Sequence, residues 1–543
     1  MKTHETKTDI LVVGGGTGGV AAALAALSLG CRVVLTEETD WVGGQLTAQG
    51  VPPDEHPWIE RFGSTARYRD FRNGVREFYM RHTRLSERAR SERNLNPGQG
   101  LVSGLCFEPR VGAAVLDQML ASGRSEGRLD LRLKRRPVAV ELAAGTADRI
   151  RAVEFLNQET GDHEWVEAAY VLDATELGDL LPLAGCEYVT GRESREQTGE
   201  LHAVDGPPEP QSMQGITWCF AMSHDPGADR TISEPEQYAF WKSYQPDLDP
   251  PWPGPILSWD QAHPTAEDPC NKLHMHLFEE APGDLLSRWL YRRILWSGHF
   301  PEEHGVRDIT LVNWTQNDYF LGSIIDRPEE EVARHLHGAR QLSLSLLYWL
   351  QTEAPRPDGG AGYPGLYLRP DAMGTSDGLA KAAYIRESRR IQAVTTITEN
   401  HVGVEARKAL GLPAHAEIFA DSIGVGAYSI DLHARCGGRS NGLNLHAYPF
   451  QIPLGALLPV RMQNLLAAGK NLGATHISNG CTRLHPVEWN VGESAGLLAA
   501  FCLRGGHFPA LVRTTPALLA EFHGLLYRQG VEIEMDWATI RPL

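Results

Sequence analysis

The sequence predicts an α/β chain: a Rossmann-type domain, in which a parallel sheet carries helices, plus a large inserted α+β domain. Three observations predict it. Residues 9–37 read strand, glycine loop, helix and strand in that order. Strand-like apolar runs return at Ala169–Leu172 and after Asn464. The chain has 543 residues, more than one hydrophobic core can serve, so two or three domains are expected.

The first unit carries a nucleotide fingerprint. Asp9–Val13 (DILVV) is a short buried strand that runs into Gly14-Gly15-Gly16-Thr17-Gly18-Gly19. Gly14 permits the turn out of the strand, Gly16 lets the backbone approach a pyrophosphate, and Gly19 lets the helix pack on the sheet. An Ala-rich helix follows to Leu29, with Gly30 placed to end it in a left-handed conformation. Its N-terminus offers free N–H groups to an anion, including those of Thr17 and Gly18. The second strand, Arg32–Thr36, finishes at Glu37, placed to accept hydrogen bonds from a ribose diol, with Glu38 beside it. A second match, Gly360-Ala361-Gly362-Tyr363-Pro364-Gly365, follows a Pro-rich stretch, lacks a preceding strand and contains proline, so it reads as a loop.

The fingerprint alone fits NAD or FAD. The residues after it resemble the glutathione-reductase-like FAD proteins. Asp40-Trp41-Val42-Gly43-Gly44-Gln45 matches the Gly-Gly pair that this family passes beneath the flavin and ribityl chain. Asp173-Ala174-Thr175-Glu176 resembles the family's DATG return segment, with glutamate at the glycine position. Asn464 to Asn471 resembles its last strand and turn, placing Gly469 and Asn471 at the ribityl and pyrophosphate; Lys470 stands where many relatives have an acid. The helix starting near Pro486 resembles the one that aims at the flavin pyrimidine, with Leu484, Pro486 and Val487 as backbone contacts. Arg136–Val140 and Ile150–Leu156 resemble the family's small antiparallel sheet, with Val138 offered to the adenine. Gly178–Gly185, Tyr384–Arg390 and His476–Gly496 narrow the likeness to bacterial FAD-dependent oxidoreductases beside the fumarate-reductase-like group. The resemblance implies FAD, expected to be non-covalent; with one convincing dinucleotide fingerprint in the chain, NAD(P)H is expected at most as a transient electron donor.

These landmarks divide the chain. The FAD-binding domain is discontinuous, at 1–50, 100–190 and 450–510. Residues 51–99 form a helical cap segment, 191–449 a substrate domain, and 511–543 a helix plus an extended tail in which Trp537 and Pro542 suggest docking. Within the insertion, Glu329–Leu350 has apolar residues at helical spacing.

Composition narrows the partners. A net charge of −17 repels phosphate backbones, which argues against nucleic acid; Lys134-Arg135-Arg136 reads as a short solvated or anion-facing patch. The longest apolar stretch, Val20–Leu29, is too short for a bilayer, and the polar start MKTHETKTD shows no signal peptide, so no membrane and a cytoplasmic location are expected. Eight scattered cysteines, Cys270 among them, form no CxxC pair. No metal is expected, His274 and His276 being a lone HxH. The size is compatible with a homodimer.

Four clusters could place a small-molecule substrate beside a flavin. Tyr384 to Arg390, read as a helix, would put Arg386 and Arg390 on one face to clamp a carboxylate; the structural alternative is an ion-pair network through Glu387. Asp421 to His433 offers Tyr428, Asp431 and His433 as an acid–base set. Thr475 to His485 offers His476 and Arg483 ahead of the flavin-facing helix, and Cys481 as a site of covalent attachment. Asn313 to Tyr319 clusters amides and aromatics, suited to a polar ligand or a buried turn. The reading is an FAD-dependent dehydrogenase or oxidase of a small polar molecule. The alternatives are a flavin monooxygenase and a non-redox FAD-binding protein.

Overall fold

The computed structural model describes residues 4–262, 272–535 and 541–543; Cys270 and Trp537 lie outside them. Strand β1 (His4–Val13) leads into helix α1 (Thr17–Ser28) and strand β2 (Val33–Glu37). Helices α2 (Ala66–His82) and α3 (Pro109–Ser125) precede β3 (Leu129–Leu133), β4 (Arg135–Leu142), β5 (Ile150–Asn157) and β6 (His163–Asp173). The parallel order is β3-β2-β1-β6, in register Val13↔Asp173 and Val13↔Thr36. Ile10 to Val13 have no exposed surface, as expected of a strand covered on both faces.

β6 serves two partners. Its first half pairs antiparallel with β5, and β5 with β4. Its last three residues pair parallel with Leu465–Ala467. The Rossmann sheet and the small antiparallel sheet expected from the sequence therefore share one strand. β1 begins five residues before the apolar run, because His4–Thr8 pairs with the extended start of β6. Polar strand residues suit this end, where Lys7 meets Glu167 and Arg151 meets Glu5.

The insertion contributes a four-stranded antiparallel sheet in the order Arg293–Leu295, Ile309–Val312, Phe220–His224, Leu366–Leu368. Helix α4 (Glu329–Thr352) joins it through Gln351, whose Nε2 donates to Leu366 O. Gly360 to Gly365 is a loop.

Helix α5 (His485–Gly505) runs through the centre of the molecule, with Trp489 packed against Tyr68 and Phe71 of α2. Glycines let it lie directly on α1. A Cβ on Gly492 would overlap Gly18 O, and one on Gly496 would overlap Ala22 O. Ser494 Oγ and Asn490 Nδ2 on the far side donate to Ile423 O and Val425 O of the strand Ser422–Gly426.

Two expectations are corrected. Tyr384–Arg390 is extended, not helical: Tyr384 bridges Thr217, and Arg390-Ile391 pairs with Tyr188-Val189. Its side chains have partners on separate segments, which a helix would aim away. The tail holds two short helices, Pro509–Thr514 and Pro516–Arg528. Pro516 lacks the N–H to continue the first and holds Thr515 out of helical geometry (φ −106°, ψ 107°). Val531, Ile533 and Met535 beyond them are buried, and Ile533 O accepts from Ser422 and Gln451. Pro542 is exposed, although Leu543 pairs with Ala447.

The glycine contact between the helices gives a stability prediction. Gly492→Ala should destabilise the protein by about 2–3 kcal/mol by forcing α5 off α1. The measurement is the denaturant midpoint with unchanged m-value. An unaltered midpoint would show that the helices tolerate a wider separation.

Candidate functional site

A cavity of about 700 Å³ runs along the C-terminal ends of the parallel strands, from Val138 past Gly14 and Glu37 to Gln49 and Ile385. Ligands of open α/β sheets bind at this edge. Gly14 has φ +94°, and a Cβ there would overlap Ala174 O, so the return segment Ala174-Thr175 lies directly on the fingerprint. Thr175 N–H and Oγ1 donate to Asp173, fixing that turn. Gly43 N–H donates to Gly15 O, and Thr17 Oγ1 donates to Gly43 O at 2.9 Å. These bonds tie the fingerprint to the Gly-Gly turn, where Gly43 and Gly44 have φ +110° and +52°.

Glu37 accepts from Gly15 N–H and from the Thr39 N–H and hydroxyl, at 2.8–2.9 Å. Burial pushes its carboxyl up to about 7. Glu38 also lines the cavity. Val138 is the extra residue of a bulge, between the pairs Pro137↔Phe155 and Ala139↔Glu154, which frees its backbone polar groups from the ladder. Gly16 is the N-cap of α1, and Gly19 lies in the first turn of that helix, where a Cβ would overlap Gly14 O. Gly18 has a packing duty that the fingerprint does not announce: a Cβ there would overlap Ala468 O and press on Glu488 O.

Gln45 Nε2 donates to Arg483 O at 3.1 Å and to Glu488, joining the Gly-Gly turn to the start of α5. Asn471 Nδ2 donates to Asp173 O, and Gly469 stands beside Glu488 and Ala174. Leu484 is the N-cap of α5, and Pro486 and Val487 lie in its first turn. Gln45 Oε1 and Asn471 Oδ1 are buried acceptors without a partner. A bare glycine cradle, a carboxylate at the end of the second strand, a free strand bulge and two orphaned acceptors fit FAD. Ile324, Val332 and Leu336 of the insertion add an apolar wall opposite Pro182 and Leu183.

Beside Gln45, a buried polar network joins all four clusters read from the sequence. Arg386 donates to Asp318 at 2.9 Å, Gly215 O, Thr217 and Asn313. Asp318 also meets His433 Nδ1 at 2.5 Å, and His433 Nε2 lies 3.4 Å from Asp431. Arg483 donates to Asp431 at 3.2 Å and to Tyr384 Oη at 3.0 Å. Asp54 and Arg292, 3.3 Å apart, extend the network, and Asp54 N–H donates to His485 Nδ1. Sequence reasoning missed these two; neither stands in a motif.

Arg386 is thus committed to Asp318, and the arginine face expected on a helix does not form. His476 lies apart, with Nδ1 3.0 Å from both oxygens of Glu387, which also accepts from Arg390 and from Gln214 N–H. Cys481 is fully buried and its thiol points to Ser478 O; burial pushes that thiol up to about 12. His274 and His276 pair with different aspartates, Asp260 and Asp284.

Burial opposes the Asp318 charge, but Arg386 and His433 hold its carboxyl down at about 2. Burial also opposes the Asp431 charge, and His433 and Arg483 hold it well below the usual carboxylate range. Burial and Arg386 press His433 down, yet Asp318 and Asp431 leave it above its ordinary value. Burial, then Asp54 and Asp431, keeps the Tyr428 phenol far above its ordinary value. Asp431 and His433 keep 29% and 20% of their side-chain surface accessible.

The sequence model of a family described as FAD dependent oxidoreductase matches residues 9–523. No curated protein matches. Solved structures with a detectable likeness include a geranylgeranyl bacteriochlorophyll reductase-like protein from Thermoplasma acidophilum, at 10% identity and TM-score 0.33, over 97% of this chain and 85% of that one. An open flavocytochrome c3 fumarate reductase matches at 16% identity and TM-score 0.21, over 34% of this chain and 35% of its own. L-proline dehydrogenase from P. horikoshii matches at 14% identity and TM-score 0.17, over 36% and 26%. The matched stretch therefore spans about a third or less of the latter two chains. Among the described residues, no helix is long and apolar enough to cross a membrane.

The network gives two predictions. Asp318→Asn should cost about 3–5 kcal/mol, because Arg386 keeps its charge without a counter-ion; equilibrium unfolding measures it, and a near-neutral change would mean that Arg386 finds another anion. His433 titrates above its ordinary value. The stability it contributes is whole below about pH 6.5 and is lost as pH rises through the folded value. Denaturant midpoints should decline on the alkaline side, and His433→Gln should flatten that decline.

Proposed function

Because the chain belongs to the FAD dependent oxidoreductase family, we propose that it is a dehydrogenase or oxidase of a small polar organic molecule, with His433 as the base. Bound FAD supplies the hydride-accepting chemistry. The observation that carries this reading is the placement of His433 between Asp318 and Asp431, with part of its ring accessible.

The protein's own groups are suited to the accompanying proton transfer. A neutral His433 ring donates Nδ1–H to Asp318, which fixes the tautomer and leaves Nε2 as the acceptor. When Nε2 takes the substrate proton, Asp318 and Asp431 stabilise the imidazolium. Arg386 keeps Asp318 ionised, and Arg483 does the same for Asp431, so neither carboxylate competes for that proton. Arg483 also accepts Gln45 Nε2 at its carbonyl, which places Asp431 one residue from the Gly-Gly turn. Tyr428 stays protonated and can donate to a substrate oxygen or nitrogen. We propose residues 191–449 as the part that binds substrate.

His433→Gln should lower kcat/KM by about 10²–10⁴-fold at undiminished flavin content. In the unaltered protein kcat/KM should rise with pH as the ring loses its proton, with a midpoint above 6.5. Substrates are found by anaerobic bleaching of the flavin absorbance, after acid precipitation has shown that the flavin is released to the supernatant. A His433→Gln protein that keeps both the rate and the pH profile would remove His433 from the chemistry.

A further inference from the structure

The cofactor cradle holds a carboxylate of the protein's own. Glu176 ends the segment Asp173-Ala174-Thr175-Glu176, where the resembling family has glycine. Its Oε1 lies 2.8 Å from the position of a Cβ on Gly16, and it overlaps the Cβ position of Gly44. The side chain therefore lies in the gap between the fingerprint loop and the Gly-Gly turn, two stretches of backbone without side chains. It lines the 700 Å³ cavity.

Glu176 Oε2 is 2.5 Å from Lys470 Nζ, and Lys470 is 3.1 Å from Glu488 Oε2. Lys470 is 1% exposed and Glu488 3%. Gln45, fully buried, donates to Glu488 and leaves its own Oε1 unpartnered. One cation between two carboxylates gives the trio a net negative charge if all three are ionised. The surrounding charges add to this. Glu37, Glu38 and Asp179 face Glu176; Arg136 stands beyond Glu38, and Arg389 is paired to Asp179 and Asp326. His485, near Lys470, is held neutral by burial and by Arg292, Lys470 and Arg483.

A diphosphate brings further negative charge to this cradle, and an ionised Glu176 cannot share so confined a space with it. Lys470 keeps Glu488 as a counter-ion when Glu176 moves away, so the exchange strands no buried ammonium. We propose that Glu176 is a placeholder: its carboxylate occupies the diphosphate cradle and shares Lys470 with Glu488 in the cofactor-free protein. On binding, the cofactor's diphosphate takes over Lys470 and Glu176 turns toward the open cavity. One ion pair breaks and one forms, and no covalent bond changes. Glu176 thereby lowers affinity for the cofactor.

Binding to the full-length apoprotein tests this by flavin fluorescence and calorimetry, with three probes. FAD carries flavin and diphosphate, ADP the diphosphate without flavin, and riboflavin the flavin without phosphate. Glu176→Gly and Glu176→Gln should bind FAD and ADP at least about tenfold more tightly, the scale of one removed charge repulsion at a buried site. Riboflavin affinity should stay unchanged. Weaker FAD binding by both variants would make Glu176 a ligand of the cofactor and overturn the proposal. So would unchanged affinity, or an equal gain for riboflavin. If Glu176→Gly fails to fold without cofactor, the isosteric Glu176→Gln carries the same test. Affinity is read without turnover, so failure of the hydride chemistry proposed above would leave the outcome standing.

Discussion

The contact between α1 and α5 is the constraint from which the site follows. Two helices can approach at backbone distance only where no side chain stands between them, and Gly492 and Gly496 of α5, laid on the backbone of Gly18 and Ala22, supply that line. The contact fixes both helix starts near the cavity. Gly16 begins α1 beneath the fingerprint, and Leu484 begins α5 beside Gln45. The far face of α5 holds the strand Ser422–Gly426, which leads directly to Tyr428, Asp431 and His433. A shift of α5 would therefore disturb the cofactor cradle and the polar network together.

Ion pairing organises the interior around that frame. Arg386, Arg483 and Arg292 each meet an aspartate, although the protein as a whole carries a net charge of −17. Buried pairs of this kind add little net stability, but removing one partner is costly, so they specify position. Here they hold His433 against Asp318, and they connect the insertion, through Asp318 and Arg292, to Asp54 and Arg483. The insertion thus contributes both to the polar network and, through Val332 and Leu336, to the wall of the cofactor cavity.

Several local elements were legible because their cause is local. A strand entering Gly14-Gly15-Gly16 and a helix starting at Thr17 follow from backbone geometry that few other residues permit. Pro486 marks the start of α5 for the same reason. Tyr384–Arg390 misled because charge spacing also fits a helix; the partners that hold it extended, Asp318, Glu193 and Asp326, lie far away in sequence. Gly18 was assigned to the cofactor by its place in the motif, while its neighbour Gly492 stands more than 470 residues later.

The sequence by itself determined the nucleotide unit, the family and the polar character of the segments that form the buried network. These depend on residue types at short spacing, where covalent geometry limits the choices. Only the tertiary structure decided which charged groups meet. It paired Arg386 with Asp318 and moved His476 to Glu387. It brought Asp54 and Arg292 to the site and laid Glu176 and Lys470 in the cradle. The physical reason is that Coulomb and hydrogen-bond energies depend on distance in space and on local burial, and a linear spacing specifies neither.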